Sequence, residues 1–217
     1  MFSKLKKIKN TLRQSSLRQS SGQGGFTILE LIVVTAIFGI LTSILMFNYG
    51  DFTDRVLSTN MAYEIALTAR QAQVFGLGVR GSGGEFGSAY GIHIALVDGE
   101  TKSIDFFNDI DSSGMKEGAC NGSGECLEQL VLQRNIAINS LLVKDATGCT
   151  TAATGLSITF KRPNPDAIIK NHSDLSEDSY EYAEIGIKAP RSDALRYVII
   201  HNTGQISVQD NSLCNPS

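Results

Sequence analysis

Residues 28–47 form an apolar run of 20 residues, interrupted by Thr35, Thr42, Ser43 and a single charge, Glu30. At a helical rise of ~1.5 Å per residue, such a run extends about 30 Å, enough to cross the hydrocarbon core of a bilayer. The pattern then changes. Ala62, Ile65, Ala66, Ala69 and Ala72 recur at spacings of three and four, with Glu64, Arg70 and Gln71 on the polar side. This periodicity predicts an amphipathic helix over 52–75. No proline occurs before Pro163, so nothing forces a break after the apolar run. The expectation is one long helix over 27–75, its first half in lipid and its second half covering a sheet.

Gly76, Gly78, Gly81, Gly83, Gly84 and Gly87 read as a helix stop and a flexible loop. Beyond them the period falls to two. Ile92, Ile94 and Leu96 alternate with His93 and Ala95, predicting a strand over 89–97, and Asp98-Gly99 signals a turn into a strand over 103–107. Further strands are expected over 129–133, 136–143, 156–161, 183–188, 196–201 and 205–208. Strands without intervening helices indicate an antiparallel sheet or small β-sandwich, so the fold class is α+β.

Charge orients this plan. Residues 1–25 carry Lys4, Lys6, Lys7, Lys9, Arg13 and Arg18 and no carboxylate. Without these six, 13 cations face 22 carboxylates, and the formal charge falls from −3 to −9. Cations ahead of an apolar span predict a cytoplasmic N-terminus and an extracytoplasmic head. The acidic remainder gives no reason to expect nucleic acid as a partner. A cleaved secretory signal fits poorly: its apolar region spans ~7–15 residues and precedes a small-residue cleavage site. Here the run is longer and continues into Asn48-Tyr49-Gly50-Asp51.

A plain membrane anchor does not explain Glu30. A carboxylate at the centre of a membrane span costs roughly 2.5–3.5 kcal/mol on insertion scales, and such residues usually have a partner or a function. Phe26 lies four residues earlier, preceded by Gly24-Gly25. Cleavage between Gly25 and Phe26 would create an α-amino cation one helical turn from Glu30.

The segment Gly25-Phe26-Thr27-Ile28-Leu29-Glu30-Leu31, behind a basic leader and ahead of an apolar run, resembles the processing motif of type IV prepilins. The resemblance implies cleavage after Gly25 by a prepilin peptidase, N-methylation of Phe26, and pairing of Glu30 with the Phe26 amine of an adjacent subunit. Gly39 matches a helix-weakening glycine of that family, whereas Phe47 stands where pilins often have proline. The leader is longer than is usual for prepilins with Phe at the cleavage site. The implied organisation is a cleaved leader over 1–25, a transmembrane helix over 26–50, its amphipathic continuation over 51–76, and an extracytoplasmic β-rich head over 77–217. Residues 63–73 and 91–108 are similar to the minor pseudopilins of the H type in type II secretion and to related minor pilins.

Four cysteines, Cys120, Cys126, Cys149 and Cys214, lack zinc-site spacing and suit disulfides outside the cytoplasm better than free buried thiols. Three pairings are possible. Cys120 and Cys126 bracket a flexible loop that can close locally, in which case Cys149 would join Cys214, and pilins often secure their C-terminal region in this way. Asp109-Ile110-Asp111-Ser112-Ser113-Gly114-Met115 resembles the opening of a calcium loop, with oxygen donors at Asp109, Asp111, Ser113 and Met115. The position where such a loop would place a bidentate glutamate is Cys120, leaving Glu117 or Glu125 as substitutes; the alternative is a solvated acidic turn. His93, His172 and His201 are too scattered to suggest a metal site.

Gly76-Leu77-Gly78-Val79-Arg80-Gly81 spells a dinucleotide-binding fingerprint, but a helix precedes it where a strand is required. No nucleophile elbow, paired-histidine metal helix or P-loop occurs, so no catalytic residue is expected. The sequence thus supports a structural subunit, with prepilin peptidase, other pilin or pseudopilin subunits and the membrane as partners. The competing reading is a membrane-anchored extracytoplasmic binding module, uncleaved and monomeric.

Overall fold

The computed structural model describes residues 24–78, 81–82, 85–120, 124–152, 154–173, 180–190 and 195–214. Residues 1–23 of the basic leader, and Val79, Arg80, Gly83 and Gly84 of the glycine-rich stretch, lie outside these. The elements run α1 (Ile28–Leu77), β1 (Gly81–Ser82), β2 (Glu85–Phe86), β3 (Ala89–Ala95), β4 (Ser103–Asp109), β5 (Cys126–Val131), β6 (Ala137–Lys144), β7 (Cys149–Thr151), β8 (Gly155–Phe160), β9 (Ala167–Asn171), β10 (Tyr182–Lys188), β11 (Leu195–His201) and β12 (Ile206–Gln209). The chain divides into two units, Met1–Met46 and Phe47–Ser217.

In the first unit, Ile28–Met46 forms a helix long and apolar enough to cross a membrane. Its threonine hydroxyls are satisfied within the helix. Thr35 Oγ1 donates to Leu31 O at 2.9 Å, and Thr42 Oγ1 donates to Phe38 O. Such back-bonding removes most of the cost of placing a hydroxyl in an apolar medium.

In the second unit, α1 contributes Met61, Ala62, Ile65, Ala69 and Ala72 to the core. Alanine at the helix face lets the backbone approach the sheets closely. Gly76 carries this further. The sequence marks it as a helix stop, but α1 continues through it to Leu77, and Gly78 N still bonds Val74 O at 3.0 Å. A Cβ at position 76 would collide with the carbonyl oxygen of Phe160 in β8. Gly76 is therefore a close-packing residue.

Two five-stranded antiparallel sheets share this core. Sheet I has the order β5-β4-β3-β8-β9, and sheet II the order β12-β11-β10-β6-β7. Alternation sets their inner faces. Tyr90, Ile92, Ile94, Ile104, Phe106, Leu156, Ile158 and Phe160 come from sheet I; Leu141, Val143, Ala183, Ile185, Ile187, Val198 and Ile200 come from sheet II. Phe75 of α1 meets Tyr90 and Phe106 edge-on, at ring-centroid distances of 5.7 and 5.5 Å. The architecture is the α+β class expected, with the β-rich part resolved into two five-stranded sheets and a small β1–β2 ribbon.

Each sheet also has an outer face, and these faces hold the polar chemistry. Among the residues of sheet I out of phase with the core set, His93, Asp105, Phe107, Asp109, Ser157 and Thr159 are buried. The β4–β5 connection is joined to this face. Lys116 pairs with Asp105 at 2.8 Å, and Lys170 Nζ donates to Ser113 O at 2.6 Å. On sheet II, the out-of-phase residue Glu184 receives donors from the C-terminal segment.

Candidate functional site

The N-terminal motif is built simply. Gly24 to Thr27 precede the helix, and Phe26 is 83 % exposed. Thr27 caps α1: its Oγ1 accepts from Glu30 N at 3.2 Å, and its carbonyl accepts from Leu31 N at 3.1 Å. Thr27 and Glu30 have the spacing of a capping box. The reciprocal bond from the Thr27 amide to the Glu30 carboxylate is not formed among the described residues. Glu30 sits in the first helical turn, where the helix dipole favours a carboxylate. Among the described residues, a Cβ added at Gly24 or Gly25 would meet nothing within 4 Å, so their packing does not demand glycine there.

In the head, Cys120 is bonded to Cys126 and Cys149 to Cys214. The first closes the loop that leads into β5. The second ties the C-terminal segment to β7. That segment has a further anchor. Glu184, fully buried, accepts Ser212 Oγ at 2.5 Å, Leu213 N at 2.8 Å and Cys214 N at 3.3 Å. A glutamate inside the apolar strand Tyr182–Lys188 is the sequence signal that could have revealed this clamp.

The calcium-like segment begins inside the sheet, since Asp109 is the last residue of β4. Asp109, Asp111 and Glu125 bring carboxylate oxygens within 4.8 Å of one another. Main-chain amides orient all three. Gly114 N donates to Asp109 Oδ2 (3.0 Å), Ser113 N to Asp111 Oδ1 (2.9 Å), and Ile110 N and Glu117 N to the two Glu125 oxygens (2.8 and 2.9 Å). Ser113 Oγ and Met115 are instead occupied with each other: Ser113 Oγ donates to Met115 O and accepts from Met115 N, each at 3.1 Å. Burial pushes the Asp109 carboxyl up to about 6, against the Gly114 amide, with Asp111 and Glu125 adding to the rise. The Ser113 donors hold Asp111 below the ordinary carboxylate range.

The histidines, distant in sequence, are partly gathered. Ser157 Oγ lies 3.0 Å from His93 Nδ1 and 2.9 Å from His172 Nε2, and the two rings are 4.8 Å apart. Burial lowers His93 to about 4; His172 and Lys116 act in the same direction, and Asp105 opposes them. Burial also lowers His172. Both are neutral at pH 7, forming a satisfied hydrogen-bond chain through a buried serine. His201 stands apart, packed on Tyr182 at 5.4 Å.

Compared with known families, residues 20–46 match the model described as the prokaryotic N-terminal methylation motif. No curated protein and no solved structure matches the chain. The motif supports a type IV pilin-like role, and the apolar helix behind it is consistent with membrane anchoring.

Proposed function

We propose that the protein is a minor pilin or pseudopilin, a structural subunit of a type IV pilus or a type II secretion pseudopilus. The finer reading, an H-type minor pseudopilin, rests on residues 63–73 and 91–108. The observation that carries the proposal is the methylation motif at 20–46, joined to a 19-residue apolar helix whose first turn holds the only carboxylate of the span. The chain inserts with its leader in the cytoplasm and its head outside. Prepilin peptidase cuts between Gly25 and Phe26 and methylates the new amine. Glycines at 24 and 25 that no contact among the described residues requires suit a peptide that must enter another protein's cleft. The organisation is then leader 1–25, membrane helix 26–50, amphipathic continuation 51–76 and head 77–217.

In this reading Glu30 acts during assembly. Where helices pack away from water, a carboxylate is stable beside a cation, and the Phe26 amine of a neighbouring subunit supplies one. The test is Glu30→Ala in the native host. Membrane insertion and the mass change of leader removal should persist, while recovery in sheared filaments or pseudopili falls at least tenfold. Normal incorporation would remove the pairing role. A native chain that retains its leader when the peptidase is active would remove the whole assignment and favour the anchored binding module.

A further inference from the structure

We propose that the outer face of sheet I carries a calcium site formed by the carboxylates of Asp109, Asp111 and Glu125. The site is independent of the assembly role. Asp109 ends β4, Asp111 lies in the turn that follows, and Glu125 immediately precedes β5, so the two ends of one connection converge. Their ligand oxygens lie within 4.8 Å of one another. Three carboxylates so close repel strongly unless a proton or a cation lies among them.

A second observation goes beyond the clustering. Asp109 is only 3 % exposed, and its Oδ1 is sealed from solvent without a hydrogen-bond partner. A buried carboxylate oxygen without a donor is costly, and a cation in the cluster removes that cost. Protein cations do not serve here. Among the described residues no ion pair reaches the three carboxylates. Lys116, the nearest cation by sequence, is committed to Asp105 at 2.8 Å, and Lys170 Nζ is directed to the Ser113 carbonyl at 2.6 Å.

The donor set selects the ion class. All three ligands are hard carboxylate oxygens, without histidine or thiolate, which suits calcium or magnesium over zinc or copper. The amides already bonded to these carboxylates fix their directions and leave lone pairs free for a metal. Calcium accepts irregular oxygen geometry and gives up its water readily, whereas magnesium demands near-octahedral coordination and keeps several waters. A largely buried site with one exposed ligand, Asp111, therefore favours calcium.

The test uses the full chain in detergent, stripped with a chelator, and titrated calorimetrically with calcium chloride or magnesium chloride. One saturable calcium site per chain is expected, with magnesium at least tenfold weaker and a calcium-dependent rise in Tm. Asp111→Asn, at an exposed position, should match the wild-type Tm in chelator and bind calcium at least tenfold more weakly. Glu125→Gln should abolish the calcium-dependent rise. The absence of saturable calcium binding, or wild-type calcium affinity in both variants, would overturn the site. Equal affinity for magnesium would overturn its assignment to calcium.

Discussion

The two disulfides should differ in what they contribute, and the difference can be worked from the loops they close. A disulfide acts chiefly by restricting the unfolded chain, and the restriction grows with the logarithm of loop length. Cys149–Cys214 spans 65 residues and Cys120–Cys126 spans 6. The chain-entropy relation assigns about 4 kcal/mol to the long loop and about 2 kcal/mol to the short one at 25 °C. The native side of the balance changes little for the long loop. Ser212, Leu213 and Cys214 still donate to Glu184 when the sulfurs are replaced, so the C-terminal segment keeps its place. The perturbation is Cys149→Ser with Cys214→Ser, set against Cys120→Ser with Cys126→Ser. Urea unfolding of the full chain in detergent, followed by near-ultraviolet circular dichroism, reads the head while the membrane helix stays folded. The long-loop variant should lose roughly twice the stability of the short-loop variant, a large share of the ~5–15 kcal/mol typical of a domain. Equal losses, or a greater loss from the short loop, would show that the stabilisation comes from native contacts and not from the unfolded chain.

Two further predictions concern the head. Gly76→Ala forces a Cβ against the Phe160 carbonyl and should cost about 1–3 kcal/mol, the usual penalty for overpacking, whereas Leu67→Ala on the exposed side of α1 should change stability by under about 0.5 kcal/mol; parallel urea titrations compare them. The second is a pH dependence. His93 is depressed in the folded state, so its contribution is fully present above the unfolded value of 6.5 and is lost as pH falls through about 4. A shift of this size is worth roughly 3 kcal/mol across that window. His172, Lys116, Asp105 and Ser157 face the ring, and His93→Gln should flatten the fall of Tm between pH 6.5 and 4.5; an unchanged slope would place the pH sensitivity elsewhere.

What could be read from the chain follows from the range of the forces involved. The apolar helix is constrained locally by length, apolarity and one misplaced charge, and the long helix expected over 27–75 runs over Ile28–Leu77. The core strands were legible because alternation is local too. The misses share a different cause. β7 is three exposed residues, held by pairing with β6, and carries no apolar pattern. β9 follows Pro163 and Pro165, which read as a loop, and is fixed by its register with β8. Gly76 read as a stop because its neighbour in space, Phe160, lies far along the chain. The pairing of His93 with His172 was hidden because the outer faces are polar and a polar residue in a strand ordinarily signals solvent, whereas Glu184, set in an apolar strand, was a legible sign of the C-terminal clamp. Asp109 and Asp111 were recognised from spacing, while Glu125 joins them through the return of the chain into β5.

The local structure around Glu30 gives the strongest reason to look beyond the protomer for its role. A carboxylate near a helix N-terminus gains about 0.3–1 kcal/mol from the dipole, less than the 2.5–3.5 kcal/mol cost of a charge at mid-membrane. In a lone protomer the first helical turn can lie at the membrane surface, where water makes up the difference. Packing beside other helices removes that water. Among the described residues the reciprocal capping bond that could hold the carboxylate is not formed; Thr27 Oγ1 accepts from the Glu30 amide alone. In the proposed reading, assembly would create the need for a cation, and cleavage before Phe26 would supply it one helical turn from Glu30. This order of events predicts that Glu30→Ala inserts and matures normally and fails at assembly. A variant that failed already at insertion would show Glu30 acting within its own chain, as a helix cap and not as a partner's counter-ion.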